Sequence, residues 1–575
     1  MTEAYSVKPQ HAREFRLRRF MNWFPMGLTY AFLYMARYNL TVSKTALGEM
    51  MSKADFGIIF AAGTFTYAFA FLINGPLTDK IGGKKAILIG AAGAAIANAL
   101  MGTMIYGILV LNWTLNLTLY FSILYALNMY FQSYGAVAIV KVNSAWFHVR
   151  ERGVFGGIFG ILISLGLYFA FDWGESIVRA TKVVAPQLNV VEQALRTLIG
   201  ATSANIDQTW WVFFIPAMIL AIFFVIELFL LRDQPSHAGF ADFETGDASA
   251  GEMDRKFNLK EILLKILTNP IILTIAFIEF CSGVMRNGIM HWYKIFSNDM
   301  GYASGFFFDR NWGLLLMLAG VFGGMFAGFI SDKIFGSRRG PVAALLYGLM
   351  LVSTIAMFPF VVQSNKNIKQ EITVKANYRL VAQNAQLGDV SLENIREQLG
   401  SSYSIVTEDR TTTDRDTLAI FTLKALPGEP SKMLATKVGD ILLAEYDYFN
   451  KFQNRYEKRE IKMKNVAQII GIRSNSTAYL LGFIVVFISL CVIGVHGMLS
   501  GTATMDFGGR RAAATAVGLI DGFVYLGTGV QSLSLGFLTE QSWNFWPPFL
   551  IPFALIGLVL AIRIWYAFPH AKRKG

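Results

Sequence analysis

The sequence predicts an all-α membrane protein, with twelve transmembrane helices in two six-helix halves and a small α/β extracytoplasmic insert. Three observations predict it. Charged residues are only 16% and hydrophobic residues 54% of the 575, against about 25% and 45–50% in soluble domains. Apolar runs recur at about the 20-residue length that a spanning helix needs. One short Gly/Asp/basic loop occurs twice, at matching places along the chain. The charge deficit excludes an ordinary soluble enzyme and a disordered chain.

The apolar runs lie near 20–43, 56–78, 86–110, 118–145, 154–173, 209–231, 269–292, 311–330, 341–363, 477–504, 513–538 and 545–567. The N-terminus is basic and amphipathic, and no small-residue cleavage site follows it, so no cleavable signal is expected. Lys and Arg gather on one side of these runs: Arg13 to Arg19, Lys80, Lys84 and Lys85, Arg150 and Arg152, Lys333, Arg338 and Arg339, Arg510 and Arg511, and Lys572 to Lys574. The opposite short loop, Asn112 to Thr118, carries no charge. The excess of basic loops places that side, and both termini, in the cytoplasm of a cell (inner) membrane. The net charge of +12 is therefore read as orientation and contact with anionic lipid. No basic soluble domain is present to bind nucleic acid. Cys281 and Cys491 both sit in apolar runs, so neither a disulfide framework nor a metal or redox motif is expected. No cofactor is expected.

The chain divides into an N-terminal half (1–231), a polar cytoplasmic central loop (232–262), three helices of the second half (263–363), the insert (364–476) and the last three helices (477–575). The insert reads as a short helix (Ser391–Leu399), a strand pair (Tyr403–Thr407 and Thr417–Leu423) and a long helix from about Ser431 toward Lys462.

The repeated loop is Gly75-Pro-Leu-Thr-Asp79-Lys-Ile-Gly-Gly-Lys84-Lys85 in the first half and Gly328-Phe-Ile-Ser-Asp332-Lys-Ile-Phe-Gly-Ser-Arg338-Arg339 in the second. Each reads as a clasp. Gly lets two helices approach, Asp accepts from a helix N-terminus or a basic side chain, and the basic pair meets lipid headgroups. The plainer reading is a charged turn set by topology alone.

Two arginines stand inside apolar runs. Arg37 follows Tyr30 and Tyr34 in the first, and Arg286 follows Gly283 in the seventh; they precede the clasp aspartates by 42 and 46 residues. An arginine within a span costs several kcal/mol unless it faces water or a partner. Equivalent arginines in two halves converge on a midplane site, where guanidinium forks suit phosphate or carboxylate. The alternative is that each snorkels or pairs with an acid. Glu279 shares a helix face with Arg286, and Asp521 shares one with Tyr525. Each reads as either a fixed counter-ion or a proton-coupling group. Asp172 reads as a cap near the outer end of helix five. Lys141 and His496 are further polar candidates, and His496 reads as an interhelical hydrogen bond.

With these residues in view, the clasps resemble the signature loops of the major facilitator superfamily. Tyr30…Tyr34…Arg37, Tyr130-Phe-Gln132…Trp146-Phe-His-Val-Arg-Glu151-Arg152-Gly153, Arg232-Asp233-Gln-Pro235-Ser-His-Ala-Gly239, the Arg286 segment and Gly522-Phe-Val-Tyr525-Leu-Gly527 narrow the resemblance to the organophosphate:phosphate antiporter family. It covers all twelve helices and excludes the insert. It implies a major facilitator fold, no enzyme activity, phosphate-binding arginines at Arg37 and Arg286, and site tyrosines at Tyr30, Tyr34, Tyr67 and Tyr525. Two positions depart from the family pattern: Phe71 stands where a lysine is common, and Ile163 where a histidine is common. The expected activity is exchange of a phosphorylated organic anion, of sugar phosphate or glycerol phosphate type, for inorganic phosphate by rocker-switch alternating access. The alternatives are proton-coupled organic anion symport and a transporter-like sensor, with residues 364–476 as the place for a protein partner.

Overall fold

The computed structural model describes residues 11–148, 160–162, 164–183, 188–203, 206–243, 268, 270–300, 302, 306–336, 338–368, 372–379, 397, 403–412, 416–425, 442–450, 455–462, 467–470, 476–499 and 504–566. Its long helices are α1 (Arg13–Leu47), α2 (Lys53–Ile81), α3 (Gly83–Val110), α4 (Leu117–Trp146), α5 (Gly160–Thr181), α6 (Trp211–Leu230), α7 (Pro270–Asp299), α8 (Trp312–Lys333), α9 (Arg339–Ile368), α10 (Ser476–His496), α11 (Thr504–Gln541) and α12 (Trp546–Arg563). Ten of these are long and apolar enough to cross a membrane. The other two, α1 and α11, complete the predicted twelve. On α1 the polar residues Asn22, Thr29, Arg37, Asn39, Thr41 and Lys44 are all buried against neighbouring helices. A helix that faces protein on most sides does not need an apolar surface.

Helix ends follow local chemistry rather than hydropathy. Ser52 and Asp55 form a capping box at the start of α2, Ser52 Oγ accepting from Asp55 N at 3.0 Å and Asp55 from Ser52 N at 2.9 Å. Gly82, at φ +91°, turns α2 directly into α3, and Gly336, at φ +57°, lies in the corresponding α8–α9 turn. Glycine adopts both conformations without a Cβ penalty. α1 starts at Arg13 and α11 at Thr504, ahead of the apolar runs, because basic and small residues continue each helix past its apolar core.

Close helix crossings run through glycine. A Cβ on Gly57 would lie 2.5 Å from Ser532 O and 2.9 Å from Gly536 Cα, which fixes α2 against α11. A Cβ on Gly283 would run into Val524 O, and one on Gly527 into Phe280 O, which fixes α7 against α11. Without a hydrophobic drive between helices in lipid, backbone approach of this kind holds a bundle together.

The insert departs from expectation. Six strands are described there: β1 (Ile372–Arg379), β2 (Tyr403–Thr412), β3 (Asp416–Ala425), β4 (Leu442–Asn450), β5 (Arg455–Lys462) and β6 (Ala467–Ile470). They form a four-stranded sheet in the order β2-β3-β1-β6 and a separate β4-β5 pair. The predicted strand pair is present as β2 and β3, antiparallel with Ile405 opposite Leu423. The predicted long helix from Ser431 toward Lys462 is corrected: β4 and β5 pair antiparallel there, with Tyr446 opposite Arg459 and Tyr448 opposite Glu457. Aromatic residues at alternate positions favour a pleated strand over a helix. The helix predicted at Ser391–Leu399 lies, apart from residue 397, outside the described residues. The correction applies to the second predicted helix alone: residue 397, the described residue of the first, is helical.

Candidate anion site

Arg37 is fully buried, and three of its nitrogens are directed. Nε donates to Gln132 Oε1 at 2.8 Å, Nη1 to Tyr525 Oη at 2.9 Å and Nη2 to Tyr67 Oη at 3.1 Å. The guanidinium also lies 4.5 Å from the Tyr67 ring centroid and 4.9 Å from that of Tyr34. Each such face contributes about 0.5–2 kcal/mol toward holding the cation out of bulk water. Among the described residues no carboxylate lies within ion-pair distance of it.

Sequence reasoning missed the amide chain that aims this arginine. Gln132 Nε2 donates to Asn128 Oδ1 at 2.9 Å. Asn128 and Asn98 both donate to Ala36 O, at 2.9 and 3.1 Å. Asn39 donates to Asn98 Oδ1 at 2.8 Å. These amides are almost wholly buried and tie α1, α3 and α4 together. Asn and Gln within helices carry little signal in sequence, since a single interhelical hydrogen bond explains each one.

Arg286, on α7, is held differently. Its Nε is buried without a hydrogen-bond partner, and it makes no ion pair among the described residues. Tyr34, Tyr38 and Tyr525 lie in the electrostatic field of both Arg37 and Arg286. The structure therefore brings the two predicted arginines to one tyrosine-lined region, one from each half. Tyr30 packs edge-on against Tyr34 (5.4 Å), Tyr67 lies 4.3 Å from Tyr525, and Phe71 packs on Tyr67 at 4.7 Å. Glu279 is also in the field of Arg286, but its carboxylate lies 2.8 Å from His496 Nδ1. The expected hydrogen bond of His496 is thus present. Asp521 is half-buried on α11, one turn before Tyr525. Ile163 lies outside the described residues.

The first clasp is closed within its own half. Asp79 accepts from Lys141 Nζ at 2.8 Å; both groups are well exposed, and such a pair contributes at most about 1 kcal/mol. Lys84 N donates to Asp233 Oδ1 and Lys84 Nζ to Leu228 O, each at 2.7 Å, which binds the loop to the end of α6. Lys85 is exposed. The expectation that Gly75 and Gly328 permit close helix approach is corrected: nothing lies within 4 Å of a Cβ built on either. Crowding falls instead on Gly82 and Gly83, which face Asp233 and Val142. In the second clasp Arg339 Nη1 donates to Ser331 Oγ at 2.8 Å and Arg338 Nε to Phe335 O at 3.1 Å. The side chain of Asp332 lies outside the described residues.

The polar contacts described between the halves run from the middle of the bundle to the end opposite the basic loops. Thr41 Oγ1 lies 2.7 Å from His291 Nδ1. Buried Lys294 of α7 stands 3.3 Å from Glu175 Oε2 on α5 and 3.0 Å from Asp309 Oδ2. Asp172 accepts from the backbone N–H groups of Gly313 and Leu314, at 2.6 and 3.0 Å. The sequence reads Asp172 as a cap near the outer end of helix five; the helix that it caps is instead α8, in the other half. Lys53 Nζ lies 2.7 Å from Asp299 Oδ2, and Lys53 N donates to Glu540 Oε2 at 2.9 Å. Sequence reasoning missed this latch because its members come from distant segments, each unremarkable alone. Among the described residues no group of His, Cys, Asp and Glu fits a metal ion.

Helices in two bundles that meet at paired polar residues define a multi-pass membrane transporter fold. The family model described as Major Facilitator Superfamily matches residues 26–368, more than half of the chain, and the chain belongs to that superfamily. It is 25% identical to a glycerol-3-phosphate transporter of Bacillus subtilis, over 60% of this chain and 71% of that one. It is 24% identical to a probable hexose phosphate transport protein of Chlamydia trachomatis, over 60% and 71%. It is also 24% identical to the membrane sensor protein UhpC of Escherichia coli, over 63% and 75%. These names agree with the resemblance carried by the motifs, and none is that of an enzyme. Among solved structures, a bacterial homologue of the lysosomal transporter Spinster, inward-facing and unoccupied, aligns with TM-score 0.56 and 12% identity over 96% of this chain and 98% of that one. A D-xylose-proton symporter aligns with TM-score 0.54 and 10% identity over the same shares. These two support the fold alone.

Proposed function

We propose that this chain exchanges a phosphorylated organic anion, of sugar phosphate or glycerol phosphate type, for inorganic phosphate across a cell (inner) membrane. One observation carries the reading: Arg37 and Arg286, one from each half, share a set of tyrosines, and neither has a carboxylate in ion-pair contact among the described residues. Arg37 is fully buried without an acid partner, and Arg286, partly buried, has only the charge of Glu279 in its field, so the two cations together leave an excess of positive charge that an anion offsets. The guanidinium fork suits a tetrahedral phosphate. The tyrosine hydroxyls that now accept from Arg37 keep their own hydrogens to donate to the anion. The relatives named as organophosphate transporters support the same substrate class.

The basic loops lie in the cytoplasm, with both termini, and residues 364–476 lie on the other side. On that reading the latch of Lys294, Glu175, Asp309 and Asp172 closes the outer end, and the anion site opens inward. Rocking of the halves breaks the latch and closes the cytoplasmic end, where the clasps then bias the balance. A second reading, a transporter-like sensor with a protein partner at residues 364–476, rests on the similarity to the membrane sensor protein. The test is uptake of labelled sugar phosphates and glycerol phosphate into liposomes carrying the purified protein. The reading expects uptake only into liposomes loaded with inorganic phosphate. Binding of these anions without any movement supports the sensor instead.

A further inference from the structure

We infer that the Glu279–His496 pair is a proton site linked to anion occupancy at Arg286, so that anion and proton are taken up together. The inference rests on Arg286 as an anion ligand. Glu279 is wholly buried between helices of the second half. Its Oε2 lies 2.8 Å from His496 Nδ1 on α10, and its Oε1 is buried without a hydrogen-bond partner. It stands seven residues before Arg286, about 10 Å lower on the same helix face, and within the field of that arginine. The other titratable groups near the carboxylate are few. Cys281 of α7 and Tyr347 of α9 feel its charge, and Tyr347 donates its hydroxyl to Ile278 O at 2.6 Å. Of the helices packed against α7 and α10, α11 carries Asp521 and Tyr525, α8 carries Asp332 and Lys333 at its end, and α12 carries no titratable residue between Trp546 and Ile562. His496 is 23% exposed while Glu279 is not exposed at all, so the imidazole is the member of the pair that reaches the protein surface.

Charge balance then links the two sites. Without an anion, the Glu279 carboxylate offsets Arg286. A phosphate dianion seated on Arg286 takes up that positive charge and leaves the carboxylate as an unpaired charge in the interior, which is costly. One proton, passed from water through His496, restores the balance. It ends as imidazolium beside carboxylate or as imidazole beside carboxylic acid. Only an N–H or O–H bond forms, and one anion and one proton enter together.

The test is calorimetric titration of the purified protein with inorganic phosphate, above the second ionisation of phosphate, in two buffers of different ionisation heat. The expected result is close to one proton taken up per phosphate, with affinity falling up to tenfold per pH unit. Glu279→Gln and His496→Gln should each bind phosphate with almost no proton uptake. Binding by wild type without proton uptake overturns the inference, and so does full uptake in both variants. Loss of uptake in Asp521→Asn alone also overturns it, because the proton then sits on α11. Failure of wild type to bind phosphate at all overturns the anion reading of Arg286 itself. Glu279→Gln and His496→Gln test the pair separately, so the test stands if one of them fails to fold.

Discussion

Arg37 of α1 donates to Tyr525 of α11 across 2.9 Å, so the buried cation of one half rests on a hydroxyl of the other. Tyr67 of α2 receives the neighbouring nitrogen at 3.1 Å. The arginine is thus aimed by its own half, through Gln132, and presented to both. An anion that replaces the phenols as acceptor turns them into donors to itself.

Removal of either hydroxyl should therefore weaken the site without unfolding it. Hydrogen bonds to charged groups contribute about 1.5–3 kcal/mol. Tyr67→Phe and Tyr525→Phe are each expected to weaken phosphate binding about tenfold, with thermal stability little changed. Equal affinity in both variants and wild type would show that the phenols only pack.

The latch predicts a shift between states. Lys294→Met leaves Glu175 and Asp309 facing each other without their cation, which costs about 2 kcal/mol or more, or some thirtyfold in the balance of closed and open ends. Ser297, three residues beyond Lys294 on α7, is fully buried. A Ser297→Cys probe, with Cys281 and Cys491 replaced, should react much faster with a membrane-impermeant thiol reagent in the Lys294→Met background. Equal rates in the two backgrounds would remove Lys294 from the gate.

Glycines divide into two groups with opposite expectations. Gly283→Ala and Gly527→Ala force α7 and α11 apart, because each new Cβ meets backbone. Each is expected to destabilise the protein by about 1–3 kcal/mol and to impair binding, since the same helices carry Arg286 and Tyr525. Gly75→Ala and Gly328→Ala meet nothing and should leave thermal stability unchanged or slightly raised. Thermal unfolding of the four variants in one detergent checks the division.

The insert connects α9 to α10, which pack side by side. A short Gly/Ser linker can therefore replace residues 364–476 at modest loop-closure cost. Measurable phosphate exchange in that variant is expected. Loss of exchange in a variant that still inserts and purifies normally would make the insert part of the transport machinery.

The parts of this account that were legible in the sequence share a cause. Arg37 and Arg286 stand out because a charge inside an apolar run has few inexpensive explanations, and the clasps stand out because they repeat. Asn128 and Asn98 do not stand out, and Gln132 does so only as part of a motif, because a buried amide has many inexpensive explanations. Lys294, Glu175 and Asp309 form a unit only when α5 and α7 are laid together. The stretch from Leu442 to Lys462 misled for another reason. Its charged residues suit a helix on propensity, while its tyrosines recur at the strand spacing, and pairing between β4 and β5 settles the conflict in favour of the strand.

The most direct test of the central claim is equilibrium binding of inorganic phosphate to purified wild type, Arg37→Lys and Arg286→Lys. Lysine keeps the charge but cannot form the planar fork. Loss of one bidentate contact should cost about 1.5–3 kcal/mol, so each variant is expected to bind phosphate at least tenfold more weakly than wild type while unfolding at a similar temperature. Wild-type affinity in both variants would contradict the assignment of the two arginines as the anion site.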